Sequence, residues 1–412
     1  MAPPLSRHLM LLALLLCAGA SADTIDDGGD RLPSQPHYAR IFSFGDSLTD
    51  TGNALRILGS QATVSRPPYG ETFFGHPNGR ASDGRIMIDF IAEALGVPQL
   101  TPYLAGKTAA DFERGVNLAV GGGTALDPTF FESRGLQPFL PVSLRNQTSW
   151  FHNVLQVLGT ERRNVTASSL FIVGEIGIND YLIGIIGNCT LAEMKSTFLP
   201  PIIGAIHSAV TDVIAAGART VVVPGSIPIG CEPAMLMFYQ GQLDAAGYDP
   251  ETGCITWLND FARLHNRALR NMIRGLRRAH PATSIVYADL YRPVTNLIVS
   301  PGRYGTAIQA FLYIYMLIDQ HHMYLDLAYR PLVCDSAAGF RDMPLDVCCG
   351  GGGGGGAYHF EVSCGAAGTK TCPDPSAYIS WDGVHFTEAA NRQIACSVIQ
   401  SLWPTTQEAG CR

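Results

Sequence analysis

The sequence predicts an α/β fold in which helices cover both faces of a parallel sheet. Three observations carry this reading. Short β-prone runs alternate with segments of helical periodicity from residue 41 to residue 402. Most of those runs end in turns bearing Gly, Ser or Asn, and right-handed crossovers would gather such polar turns on one edge of the sheet. Of 412 residues, 47% are hydrophobic and 15% charged, enough to bury a large core, and no Pro/Ser linker or charge run divides the middle.

The first 22 residues read as a targeting leader rather than as part of the fold. Arg7 and His8 precede an apolar run at 9–16, and Ala20-Ser21-Ala22 matches an A-x-A cleavage site. The run is too short to span a bilayer, and no later stretch reads as long and apolar enough. A single soluble, monomeric domain at 23–412 is therefore expected in the secretory pathway, extracellular or in the cell wall, with Golgi or vacuole as other stations. Without Cys17, ten of the 11 cysteines remain, an even number suited to an oxidising compartment. Three sequons, at Asn146, Asn164 and Asn188, agree with export.

A net charge of −7 gives no basic footprint for nucleic acid. Arg263, Arg267, Arg270, Arg274, Arg277 and Arg278 share a helical face opposite Phe261, Leu269, Met272, Ile273 and Leu276, which reads as a solvated amphipathic surface.

The elements follow in order. Residues 41–44 form a strand that meets Gly45-Asp46-Ser47, so a hydroxyl would stand at the sheet's C-terminal edge. A Pro/Gly-rich loop carries Pro67-Pro68-Tyr69-Gly70, and Ser82-Asp83-Gly84-Arg85 reads as a helix start. Residues 116–120 read as a strand closed by Gly121-Gly122-Gly123, and 150–158 as helical. A third strand, 169–173, runs into Gly177-Ile178-Asn179-Asp180. A helix at 202–216, a strand at 219–223, the arginine-bearing helix, a fifth strand at 284–289 and a last helix at 389–402 complete the pattern. The seven glycines at 350–356 lack a P-loop lysine and read as a flexible loop. His321-His322 has no partner ligand at metal spacing.

Acyl transfer from an ester needs a nucleophile, a base, a group to orient the base, and donors for the developing oxyanion. Trp381-Asp382-Gly383-Val384-His385 places a carboxylate three residues before an imidazole, close enough to meet within one turn and to present the ring to Ser47. Gly122 offers a backbone N–H that a substrate can approach without a side chain in the way, and Asn179 offers an amide donor.

With these four segments in this order, the chain resembles the plant GDSL-type esterases/lipases of the SGNH hydrolase superfamily. The Ser, Gly, Asn and His of that name fall on Ser47, Gly122, Asn179 and His385. Further matches are Asp50 and Gly52-Asn53, Ile229-Gly230-Cys231 and Cys348-Cys349-Gly350. The resemblance implies a three-layer, flavodoxin-like α/β/α fold with a central five-stranded parallel sheet. It also implies a Ser47–His385–Asp382 site whose oxyanion hole uses Ser47, Gly122 and Asn179, with no cofactor and no metal. Substrates would be small plant-metabolite esters or acetylated cell-wall polysaccharide. A catalytically silent, glycan- or metabolite-binding relative is the alternative. Cys231 and Cys254 are expected to pair, and Cys348, Cys349, Cys364 and Cys372 among themselves. Two departures stand out. Gly121 replaces the serine usual in close relatives, which should loosen that turn, and residues 305–339 interrupt the pattern with an apolar run and Cys334. That insertion is expected to add nothing to core or catalysis, and a gene-model error or unspliced in-frame intron explains it better than a helical lid.

Overall fold

The computed structural model describes residues 38–159, 162–303, 339–350 and 362–402. The leader, residues 305–338 of the insertion with His321-His322, and glycines 351–356 lie outside the described residues.

The sheet starts at β1 (Arg40–Phe44), where Ile41, Phe42 and Phe44 are wholly buried, as both faces of a covered parallel sheet require. Helix α1 (Asn53–Leu58) and helix α2 (Met87–Ala94) precede β2 (Gly115–Asn117), and α3 (Leu144–Val157) leads to β3 (Ser169–Val173). After α4 (Ile178–Ile186) and α5 (Leu199–Ala215) come β4 (Thr220–Pro224), α6 (Thr256–Ala279) and β5 (Ser284–Ala288). Helix α7 (Tyr291–Val299) and the final helix α8 (Glu388–Leu402) close the fold. All five strands are parallel in the order β2-β1-β3-β4-β5. With right-handed crossovers, this order sends α3, α5 and α6 to one face and returns α2 and α8 to the other, which is the flavodoxin-like three-layer arrangement expected. Under the α3 face the rings of Phe42 and Phe171 stack at 5.0 Å, and Phe151 from α3 meets them edge-on at 5.5 and 5.6 Å.

Three sequence expectations shift. The second strand stops at Asn117 rather than Val120, because the Asn117 side chain turns back on the chain. Its amide donates to the Thr49 carbonyl at 2.5 Å and its Oδ1 accepts from Ala119 N–H at 3.0 Å. Helix α2 begins at Met87, not within 82–85. Asp89 supplies the start by accepting from Ile86 N–H at 3.0 Å while pairing with buried Arg80 at 2.7 Å. Residues 82–85 instead strap the chain to the C-terminal segment, through Ser82 Oγ to Phe386 O at 3.0 Å and Arg85 N–H to Glu388 Oε2 at 2.8 Å. Third, Leu191–Ala215 is long and apolar enough to span a membrane by length and composition. Within the fold this segment packs Ile202, Ile206, Val210 and Val213 into the core.

The six arginines of α6 are exposed, while Phe261, Leu269, Ile273 and Leu276 are buried, so the amphipathic reading of this helix holds.

Candidate active site

In a 2-1-3-4-5 sheet the crossovers leave β1 in opposite directions, which opens a crevice at the C-terminal ends of β1 and β3. Ser47 follows β1 and Asn179 follows β3, so both stand at this point. Gly45 makes the turn possible. Its φ is +152°, and a Cβ there would lie 2.7 Å from Thr49 Oγ1 and 2.9 Å from the Glu175 carbonyl. Gln147 of α3 then clamps the turn, accepting from Gly45 N–H at 2.9 Å and donating to Gly45 O at 2.8 Å.

The hydrogen bonds of this turn leave one donor open. Asp46 takes Leu48 N–H on its side chain at 3.1 Å, and its carbonyl takes Thr49 and Asp50 N–H at 3.2 and 3.0 Å. Ser47 N–H is left with no protein acceptor among the described residues. The same pattern recurs after β2. Gly121 N–H goes to Asp50 Oδ2 at 2.8 Å and Gly123 N–H to Val120 O at 2.8 Å, while Gly122 N–H between them has no protein acceptor among the described residues. Gly122 has φ +76°, a conformation glycine adopts without strain. Asp50 is the post that holds these two turns together. Besides Gly121, its carboxylate accepts N–H bonds from Gly52 at 2.7 Å, Asn53 at 2.6 Å and Ala54 at 2.8 Å. Asp50 thus anchors the Gly121 turn through its backbone.

The Asn179 amide donates to Gly123 O at 2.9 Å and faces Asp46 Oδ2 at 3.4 Å. Its neighbour Asp180 accepts from Ala125 and Leu126 N–H at 2.8 and 2.9 Å, which ties the start of α4 to the loop behind Gly122.

Asp382 and His385 come from a hairpin closed by Trp381 N–H to His385 O at 2.8 Å. The Asp382 carboxylate accepts His385 N–H at 2.8 Å and Val384 N–H at 3.1 Å, and lies 2.8 and 3.0 Å from His385 Nδ1. Tyr69 Oη donates to it from above at 2.8 Å. Burial alone would push Asp382 upward. The charge and hydrogen bonds of His385, with the Tyr69 bond, outweigh it and bring the carboxyl down to about 2. For His385, burial works downward and is overcome by the Asp382 charge and hydrogen bond and by Asp46, so its pKa ends raised. An ionised carboxylate only accepts, so the proton between them sits on Nδ1 and Nε2 is the basic nitrogen. Ser47, Gly121, Gly122 and His385 line one cleft of about 160 Å³, open to solvent. Ser47 and His385 both line it, and among the described residues no hydrogen bond joins their side chains, as is common in apo sites.

Around Asp46 lies a set of buried acids that the sequence did not single out. Asp46 is pushed by burial to about 6, Asp180 to about 7 and Glu232 to about 8, and Glu175 is held well above the usual range by burial and then by the Asp46 charge. Of the other contributors missed, Tyr69 had a signal in its distinctive Pro-Pro-Tyr-Gly run. Gln147 had none, because a single glutamine on an amphipathic helix looks like surface.

The cysteines pair as expected, Cys231 with Cys254, Cys348 with Cys372 and Cys349 with Cys364. Asn146, Asn164 and Asn188 are all exposed.

A parallel sheet of this order, with a serine and an Asp–His pair at its switch point, defines an SGNH-type α/β hydrolase. The GDSL-like lipase/acylhydrolase family profile matches residues 41–398, and the chain belongs to that family. Similar proteins include an Arabidopsis thaliana GDSL esterase/lipase, 37% identical over 369 residues that cover 88% of this chain and 84% of that protein. The sinapine esterase of Brassica napus is 39% identical over 386 residues, 90% of this chain and 88% of that protein. The chain is an ester-bond hydrolase.

Proposed function

We propose that the enzyme hydrolyses carboxylic esters through an acyl-enzyme on Ser47. His385 Nε2 takes the Ser47 Oγ proton as the oxygen attacks the ester carbonyl, and Asp382 stabilises the imidazolium that results. The oxyanion is received by Ser47 N–H, Gly122 N–H and the Asn179 amide, whose long 3.4 Å bond to Asp46 is the weaker of its two and the one a substrate would replace. His385 then returns the proton to the leaving alcohol, activates water, and the acyl group departs as the acid. The observation that carries this reading is the pair of unused N–H donors at Ser47 and Gly122, flanking the cleft that also holds His385.

The natural substrate is a small plant-metabolite ester or an acetyl group on cell-wall polysaccharide. The relation to a sinapine esterase favours the first. The protein acts as a secreted monomer, delivered by the leader at 1–22 and glycosylated at Asn146, Asn164 and Asn188. The test uses p-nitrophenyl acetate and a serine-directed phosphonate. Turnover with labelling of Ser47, both lost in folded Ser47→Ala, is the expected result. A folded wild-type protein that neither turns over nor labels defeats the reading and makes the chain a binding relative of its family.

A further inference from the structure

Gly121 has no backbone reason to be glycine. Its φ lies outside the left-handed range, unlike that of Gly122 beside it. What its missing side chain does is leave space. A Cβ at 121 would lie 3.3 Å from Ala54 Cβ and 3.6 Å from Ser47 Cβ, and Gly121 itself lines the cleft. A methyl group is just admitted if Ala54 gives by a few tenths of an ångström. Anything larger must occupy the cleft beside the nucleophile. The remaining wall is mostly small or apolar, with Ala54, Ala62, Gly79 and Ala81 buried, Val64 half-buried and Leu58 39% exposed, and Thr63 adds an exposed hydroxyl. Among the described residues the one carboxylate in this wall, Asp50, has both oxygens occupied by backbone N–H groups, and no Lys or Arg lines the cleft.

We propose that Gly121 is a specificity-determining residue: its absent side chain opens a subsite beside Ser47 for an uncharged, apolar ester moiety larger than acetyl. The subsite deepens the esterase reading and rests on it. The moiety can be the acyl chain or the alcohol, because both flank the carbonyl that Ser47 attacks. Two substrate series separate these sources: p-nitrophenyl acetate, butyrate and hexanoate, and methyl, butyl and hexyl acetates.

Wild-type kcat/KM should rise along one series by on the order of tenfold, the discrimination that added methylenes give in an apolar pocket. p-Nitrophenyl hemisuccinate, of similar size to the butyrate but anionic, should fall below it by at least that factor. Gly121→Val should remove the rise, read as the ratio of kcat/KM on the longest to that on the shortest substrate, and Gly121→Ala should reduce it. Leu58→Glu, at an exposed position that leaves the turn untouched, should also lower the ratio of the longest to the shortest substrate. A flat response in both series, a rise that survives Gly121→Val, a proportional loss on short and long substrates, or hemisuccinate matching butyrate would each overturn the subsite. Labelling of Ser47 by a small phosphonate separates the two failures. A protein that labels and turns over acetate but shows no size dependence loses only the subsite, whereas one that does neither loses the esterase reading itself.

Discussion

At the scale of single residues, the Asp382–His385 contact sets the pH behaviour. In the proposed mechanism His385 must be neutral to accept the Ser47 proton, and its pKa is raised, so kcat/KM should fall on acidification with an apparent pKa above the ordinary imidazole value of about 6.5. Asp382→Asn removes the charge that raises it and disturbs the tautomer, so the limb should move to lower pH and the rate drop by about 10⁴-fold. A pH–rate profile that keeps its midpoint in the variant would show that Asp382 does not govern the base. Asn179→Ala should cost about 10²–10³ in kcat, the loss that follows removal of one oxyanion donor. Wild-type kcat in that variant would remove Asn179 from the hole. Glu232 carries a stability consequence. Its folded pKa of about 8 lies above the ordinary value of about 4.3, so the folded state holds a proton that the unfolded state has already released. Its stabilising contribution is complete below about 4.3 and is lost as pH rises through about 8. Glu232→Gln should therefore gain stability relative to wild type as pH increases from 5 to 8, read as a shift in urea midpoint. An equal difference at both pH values would mean the carboxyl is not held protonated.

At the scale of elements, the nucleophile turn and the Asp–His hairpin belong to distant parts of the chain and are held by different devices. The turn is fixed by Gln147 from α3, by Asn117 at the end of β2 and by its own Asp50, which takes a backbone N–H of the loop after β2. The hairpin is fixed by cystine-bearing backbone, since Cys349 N–H donates to Trp381 O at 2.7 Å and Cys348 N–H to Ser380 O at 3.1 Å. The loop bearing the Cys231–Cys254 bridge adds Ala234 N–H to Gly383 O at 3.0 Å. Replacing Cys349 and Cys364 together by serine should cost about 2–5 kcal/mol in chemical denaturation. It should also lower kcat more than it raises KM, because the segment carrying Asp382 loses its mooring. A variant as stable and as active as wild type would show the bridge to be incidental.

At the scale of the whole molecule, the chain at 301–302 meets the chain at 339–340. Phe340 N–H donates to Pro301 O at 2.9 Å, and a Cβ on Gly339 would lie 3.0 Å from Gly302 Cα. Residue 303 can therefore be joined to 339 by one or two residues without moving either side. Removing 305–338 should leave esterase turnover at or above wild type and raise soluble yield, in keeping with the small entropic cost of loop length. A deletion protein that is folded, by near-UV circular dichroism, but inactive toward small esters would make the segment part of the enzyme.

The sequence by itself determined the sheet, because β-prone runs closed by Gly, Ser and Asn turns permit few other arrangements once crossovers are right-handed. It also singled out Ser47, Gly122, Asn179, Asp382 and His385 as site candidates, through short local patterns and the family resemblance those patterns carry. The ends of β2 and α2 were displaced in that reading because the Asn117 and Asp89 side chains compete locally with regular backbone pairing. Only the tertiary structure decided which N–H groups stay open, because that depends on where Asp50 and Asp46 place their oxygens. It alone disclosed Tyr69 above Asp382, Gln147 across the Gly45 turn and the buried acids around Asp46. These act across separations of 102 residues for Gln147 and 313 for Tyr69, and contacts so distant in the chain leave no periodicity or spacing for a sequence to display.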